Sequence, residues 1–136
     1  MLVTKLKATR RNSRGFTLLE LVMVMTIIVI LASIAVASYQ QIQLKARETI
    51  LKEDLRQMRK MLDQFSADKE RLPQSLEELV EAGYLREVPI DPITENADWD
   101  LEMGEDDVSL SGGQGVVNVH SNARGEGSDG RPYSEY

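Results

Sequence analysis

RGFTLLELV, residues 14–22, begins an apolar run that continues to Ala37 and decides the fold of this chain. The run has 22 residues from Phe16 to Ala37. At about 1.5 Å per residue, a helix of that length reaches roughly 33 Å, enough to cross a hydrocarbon core of about 30 Å. Glu20 is the only charged residue inside it. The pattern predicts a membrane-spanning helix.

Positive charge is concentrated before this run. Five basic residues and no acidic residue precede Gly15, namely Lys5, Lys7, Arg10, Arg11 and Arg14. Basic residues beside a spanning helix favour the cytoplasmic side, so the amino-terminal end is expected there. A carboxylate inside a membrane helix costs up to about 3 kcal/mol, which indicates that Glu20 has a cationic partner.

GFTLLEL, Gly15 to Leu21, resembles the processing site of type IV pilin-like proteins, the family of pilins and of the pseudopilins of type II secretion. The resemblance implies that a prepilin peptidase cuts after Gly15 and methylates the new amino terminus at Phe16. It also implies that Glu20 meets the terminal amine of a neighbouring subunit, which removes two desolvation penalties and sets an axial step in a filament. Many family members have proline where this chain has Ala37, so a straighter helix is expected there.

Two simpler interpretations of the run stay open. An ordinary single-pass anchor explains the charge asymmetry but leaves Gly15, Phe16 and Glu20 unexplained. A secretory signal peptide cut after Ala37 is suggested by the small-residue pattern at 35–37. Its apolar core would reach about 19 residues, however, against roughly 7 to 15 in secretory signals.

The predicted organisation leaves room for one small domain. Residues 1–15 form a removable basic leader, residues 16–38 the membrane and filament-core helix, and residues 39–136 a globular domain. Without the five basic residues of the leader, 11 basic and 22 acidic side chains remain, a formal charge of −11. This charge argues against nucleic-acid binding. Cysteine is absent from the sequence, so disulfides cannot stabilise the domain.

An amphipathic helix is expected to follow the membrane run from residue 39 to about residue 68, because apolar residues recur at intervals of three, four and seven. The stripe consists of Leu44, Leu51, Leu55, Met58, Leu62 and Phe65. Glu48 and Lys52 are interpreted as an i,i+4 ion pair on the solvated surface of this helix.

The rest of the domain shows short elements. Ser75 and Glu78 form a capping box that begins a helix ending near Gly83. Apolar and polar residues alternate at 99–103, 108–110 and 117–119, which predicts three antiparallel strands. The expected fold is α+β and pilin-like, with a long N-terminal helix, half membrane-spanning and half amphipathic, packed on a small antiparallel sheet.

Two further segments resemble the major pseudopilins of type II secretion systems. The first is LPQSLEELVEAGYLREVPIDPIT, residues 72–94, and the second is the ending at residues 120–136. Some of those proteins bind calcium in the loop after the last strand, and the oxygen donors available here are Asn122, Glu126, Ser128 and Asp129. Arg124 and Arg131 add opposing charge. The alternative is a glycine-rich turn that reverses the chain at Asp129 and Gly130, so the metal stays unassigned.

Other polar features carry weaker signals. Seven carboxylates and no basic residue lie between Glu95 and Asp107, which fits a partner surface, a weak cation site or a solvated strand face. His120, the single histidine, is interpreted as structural because no cysteine or second histidine accompanies it. No nucleophile–base pair or phosphate-binding glycine loop is recognisable in the sequence, and an enzymatic role is not expected.

The resemblance implies a structural subunit of the inner membrane with its domain in the periplasm. Such a subunit polymerises into a periplasmic pseudopilus that helps push folded proteins across the outer membrane. Its implied partners are further copies, prepilin peptidase, an inner-membrane assembly platform with other pseudopilins, and lipid before assembly. A type IV pilin of a surface fibre for adhesion or motility is the alternative, and a secreted soluble domain starting at Ser38 is a further one.

Overall fold

The computed structural model describes residues 14–136. Its elements in chain order are α1 (Leu18–Lys69), α2 (Leu76–Glu81), β1 (Trp99–Glu105), β2 (Gln114–Ser121) and a 3₁₀ turn at Tyr133–Glu135. The chain divides into two compact units, one up to Tyr39 and the other from Gln40 to Tyr136. The predicted α+β fold, a long N-terminal helix with a small antiparallel sheet, is confirmed. Of the predicted leader, residues 1–13 lie outside the described residues.

The first unit is the apolar part of α1. Within residues 14–136, α1 is the one helix that is long and apolar enough to cross a membrane. The hydroxyls of Thr26 and Ser33 donate to backbone carbonyls one turn earlier, each at 2.8 Å. These bonds satisfy the two hydroxyls within the helix, as an apolar environment requires. The helix passes Ala37 without a break.

The second unit is built on the amphipathic part of α1. Its buried apolar residues are Leu51, Leu55, Met58, Leu62 and Phe65, which confirms most of the predicted stripe. Two expectations are wrong: Leu44 is 40% exposed, and Glu48 is buried rather than solvated. The buried stripe begins at Glu48, because the C-terminal loop contacts α1 there through this carboxylate.

The short helix α2 begins and ends close to where the capping signals place it. The Ser75 hydroxyl accepts the backbone N–H of Glu78, as an N-cap does. The Glu78 carboxylate, in contrast, accepts the N–H of Gln74 at 2.7 Å and not that of the cap residue. Gly83 follows the helix with a φ of +83°, a left-handed conformation that glycine adopts without strain.

The sheet has two antiparallel strands in the order β1–β2, with an irregularity in register between Glu102 and Met103. The expected third strand at 108–110 is wrong, since these residues lie in the turn region between β1 and β2. Buried Asp106 accounts for the turn: its carboxylate accepts the N–H groups of Val108 and Ser109 at 3.2 and 3.0 Å. A side chain that bonds the backbone two and three residues later favours a turn over a strand.

One hydrophobic core joins α1, α2 and the sheet. Besides the α1 stripe it contains Leu76, Leu79, Leu85, Trp99, Val116, Val119, Ala123, Tyr133 and Tyr136. Phe65 and Tyr84 meet edge to face, with ring centroids 5.4 Å apart. Since Tyr133 and Tyr136 belong to the core, the end of the chain is packed against the same helix that begins the unit.

Candidate functional sites at the amino terminus and in the C-terminal loop

The predicted processing bond lies just before α1. Residues 14–17 have no regular secondary structure, and the helix begins at Leu18. The Phe16 side chain is 85% exposed, and open space surrounds the position that a Cβ would take at Gly15. An exposed, non-helical bond is one that a protease can reach.

Glu20 lies in the first turn of α1 and is exposed. The hydroxyl of Thr17 accepts the backbone N–H of Glu20 at 3.2 Å, so the threonine satisfies one of the free N–H groups at the helix start. An acidic side chain in the first turn also interacts favourably with the helix dipole. The structure therefore leaves the Glu20 carboxylate accessible beside the predicted processing bond.

Large apolar side chains cover the first unit and face outward. From Phe16 to Val36 they are between 47% and 85% exposed. This surface is far larger than a single water-soluble chain exposes, which indicates that lipid or other helices cover it.

The C-terminal loop is bound to α1 through Glu48. This residue is only 3% exposed. Its carboxylate accepts hydrogen bonds from the Ser128 backbone N–H at 2.8 Å, the Tyr133 hydroxyl at 3.0 Å and the Ser128 hydroxyl. Burial raises the pKa of Glu48, but the bonds from Ser128 and Tyr133 outweigh it and leave the pKa below its ordinary value.

Asp129 is a carboxylate of the loop itself. It accepts the Tyr136 hydroxyl at 2.8 Å and forms ion pairs with Arg131 at 3.0 Å and with Lys52 of α1 at 3.5 Å. The Tyr136 bond, followed by those from Arg131, holds the pKa of Asp129 far below its usual value. Burial and the neighbouring Asp129 raise the pKa of Tyr136 to about 12.

Arg59 joins three parts of the second unit. Its guanidinium donates to the Asn118 side chain and the Val119 carbonyl of β2, each at 2.8 Å. It also donates to the backbone oxygen of Tyr136 at 2.5 Å. The planar group with several donors suits such a junction, which a lysine cannot reproduce.

Sequence reasoning missed these α1 contacts, although one signal for Glu48 was present. The stripe from Leu44 to Phe65 follows a four–three spacing, and position 48 is its one non-apolar member. A carboxylate at a stripe position indicates a buried polar contact. Lys52 and Arg59 offer no comparable local signal, since these partners lie 59 to 77 residues later in the chain.

The four residues predicted as calcium ligands have different partners in the structure. Asn122 donates to the Asp98 carbonyl, the Ser128 hydroxyl donates to Glu48, and Asp129 accepts from Arg131 and Tyr136. Glu126 is exposed and its backbone pairs with Pro132. Within the part of the chain that the structure describes, no group of three or more His, Cys, Asp or Glu residues is placed to hold a metal. The donor set does not fit calcium.

The acidic segment from Glu95 to Asp107 is mostly a solvated surface. Six of its seven carboxylates are exposed, and the seventh, Asp106, builds the turn between the strands. His120 lies on β2 with its Nε2 3.3 Å from the Glu102 carboxylate. Its Nδ1 is buried without a hydrogen-bond partner among the described residues.

Comparison with known proteins agrees with this arrangement. Residues 10–36 match the family described as the prokaryotic N-terminal methylation motif. Type II secretion system core protein G of Klebsiella pneumoniae is 34% identical, and the match covers 91% of each chain. The protein of the same name from Pseudomonas aeruginosa is 32% identical over 61% of this chain and 70% of its own length. No solved structure matches.

A methylation motif, an exposed membrane-length helix and a small helix-and-sheet domain together define the class of type IV pilin-like proteins. Within that class, the family follows from the identity with the Klebsiella pneumoniae protein and from the share of both chains that the match covers. The chain belongs to the family of type II secretion system core protein G, and it is a pseudopilin, a structural subunit.

Proposed function

We propose that this pseudopilin is cut between Gly15 and Phe16, methylated at Phe16, and polymerised into the periplasmic pseudopilus of a type II secretion system. The leader is then residues 1–15, the membrane and filament-core segment 16–38, and the periplasmic domain 39–136. The observation that carries this proposal is the exposed bond directly before an outward-facing apolar helix. Family membership adds the secretion system.

Before assembly, the proposal places the chain in the inner membrane as a single-pass protein. The five basic leader residues favour a cytoplasmic amino terminus, and the acidic domain then lies in the periplasm. Prepilin peptidase and an assembly platform in the inner membrane are the partners that this route requires. The role is structural, because the chain is the substrate of processing and the material of the filament.

During assembly, the apolar side chains exchange lipid contact for contact with the helices of neighbouring copies. Such exchange depends on close packing and on polar interactions, because lipid tails are as apolar as the side chains themselves. Glu20 supplies the polar interaction by pairing with the terminal amine at Phe16 of a neighbour. Repeated head-to-tail contacts of this kind give an open helical filament.

Intact mass and amino-terminal sequencing of the protein from its native membrane test the processing step. We expect a mature chain that begins at Phe16 and carries one added methyl group. A chain beginning at Ser38 would show a secreted soluble domain, and an uncut chain beginning at Met1 would show a plain membrane anchor.

Deletion of the gene tests the filament's role. We expect loss of protein export across the outer membrane, with no loss of surface fibres. Export that survives while adhesion or motility fibres disappear would instead identify the chain as a type IV pilin. Complementation with the unaltered gene serves as the control.

A further inference from the structure

We infer that this pseudopilin closes its C-terminal loop with its own charged side chains and needs no calcium ion for that purpose. The contacts form a group called here the C-terminal latch. Its members on α1 are Glu48, Lys52 and Arg59, and its members in the loop are Ser128, Asp129, Arg131, Tyr133 and Tyr136.

The donor chemistry at Asp129 excludes a calcium ion from that carboxylate. Calcium takes six to eight oxygen ligands at about 2.3–2.6 Å. The Asp129 carboxylate already has the Arg131 guanidinium at 3.0 Å and the Lys52 ammonium at 3.5 Å. A divalent cation at the same oxygens would be repelled by both of these positive groups.

Two of the remaining polar side chains of the loop are also bonded to protein groups. The Ser128 hydroxyl donates to the Glu48 carboxylate on α1. Asn122 uses its amide as a donor to Asp98. Ser128 is thus bonded to α1 and Asn122 to the segment before β1, which are two different parts of the fold.

The latch holds the C-terminal loop against α1, which a bound ion would otherwise do. Glu48 holds the middle of the loop through Ser128 and Tyr133, and Arg59 holds the backbone of Tyr136 at 2.5 Å. Lys52 lies 4.4 Å from the centre of the Tyr136 ring and pairs with Asp129 as well. The loop is thus attached to α1 at three positions, Glu48, Lys52 and Arg59.

Thermal unfolding of the full mature chain in mild detergent tests this inference. Trp99, the single tryptophan, is buried in the core and reports on the domain by its fluorescence. After exhaustive chelation, we expect the same midpoint with calcium, with magnesium and with neither. A midpoint that falls on chelation and recovers with calcium alone would overturn the inference.

Variants test whether the latch holds the loop. Glu48→Gln should lower the midpoint by about 10 °C, because a neutral amide replaces a carboxylate that accepts three hydrogen bonds. Glu53→Gln is the matched control, since Glu53 is exposed on the same helix and pairs only with nearby Arg56 among the described residues. It should leave the midpoint unchanged.

If Glu48→Gln does not fold, Ser128→Ala decides the question. It removes a single hydroxyl donor to Glu48 and should lower the midpoint by about 5 °C. A wild-type midpoint for Ser128→Ala, or for a folded Glu48→Gln, would show that other contacts hold the loop and would overturn the inference.

Discussion

A few polar residues connect the separate segments of the second unit through hydrogen bonds. Glu48, Arg59 and Asp106 each bond groups that lie far away in the sequence or that close a turn. A buried polar group contributes to stability when its partners are present and destabilises the fold when one is removed. Substitution of these residues therefore has larger effects than substitution of the many charged residues on the surface.

Arg59→Lys should destabilise the domain by about 1–2 kcal/mol although it keeps the charge. A lysine ammonium cannot reach Asn118, Val119 and Tyr136 together, so at least one buried acceptor loses its donor. Urea unfolding followed by Trp99 fluorescence measures the difference. The control is Arg56→Lys at the exposed Glu53 pair, for which a change above about 0.5 kcal/mol would be unexpected.

Gly115→Ala should destabilise the domain by about 1–3 kcal/mol. A Cβ at this position would lie 2.3 Å from the Leu72 Cβ and 3.0 Å from the Pro73 carbonyl oxygen, and the backbone there cannot move away easily. The exposed neighbour Gln114→Ala provides the control for a substitution in the same strand. Equal urea midpoints for the two variants would contradict the close approach of β2 to residues 72–73.

At the scale of elements, the stability of the short segments depends on a few side-chain contacts. The helix α2 has only six residues, which is too short to persist without its cap and its packing against the core. The C-terminal loop has little regular structure apart from its 3₁₀ turn and depends on the latch. Both segments are consequently sensitive to changes in one or two side chains.

Ser75→Ala should lower the free energy of unfolding by about 1 kcal/mol, because the backbone N–H of Glu78 loses its acceptor at the helix start. Chemical denaturation with the same fluorescence probe provides the measurement. Ser134→Ala, at an exposed serine of the 3₁₀ turn, is the comparison. If both variants unfold alike, the cap does not stabilise α2.

The C-terminal loop makes stability depend on pH at both extremes. The pKa values of Glu48 and Asp129 are lowered by folding, so their contribution is present above about pH 4.5 and is lost on acidification. The pKa of Tyr136 is raised to about 12, so its contribution is present below pH 10 and is lost as the pH rises toward 12. Asp129→Asn should make the acid loss shallower, and an unchanged acid profile would contradict its role.

At the scale of the whole molecule, the two units differ in the chemical character of their surfaces. The first exposes apolar side chains along a membrane-length helix, whereas the second buries its apolar residues in one core. The exposed apolar side chains of the first unit therefore need lipid or other copies of the chain to cover them. The second unit contains its own hydrophobic core.

Glu20→Ala should leave membrane insertion and leader cleavage intact while strongly reducing filament yield. The carboxylate is exposed beside the predicted processing bond, so its proposed partner is a neighbouring copy and its loss should not disturb the core. Filament yield by shearing and immunoblotting gives the readout. Ser33→Ala is the control within the apolar helix, since among the described residues the Ser33 hydroxyl bonds only a carbonyl of its own helix. A normal filament yield from Glu20→Ala would contradict the proposed pairing of Glu20 with the terminal amine of a neighbouring copy.

The sequence by itself determined the features that depend on neighbouring residues. Hydrophobic periodicity located α1, the serine and glutamate at 75 and 78 located α2, and residues 15–20 identified the family. Each of these signals is complete within a few helical turns, because helix formation and capping follow local rules. The predicted roles of Gly15, Phe16 and Glu20 stay predictions of this kind.

Only the tertiary structure decided the latch and the number of strands. Glu48 meets Ser128 and Tyr133 across 80 and 85 residues, so no local pattern specifies its partners. The alternation at 108–110 predicted a strand, but Asp106 bonds the following backbone and makes a turn. The side-chain oxygens of Ser128 and Asp129, which suited calcium in the sequence, are bonded to protein groups instead. Where each polar group finds its partner depends on which distant segments the core brings together.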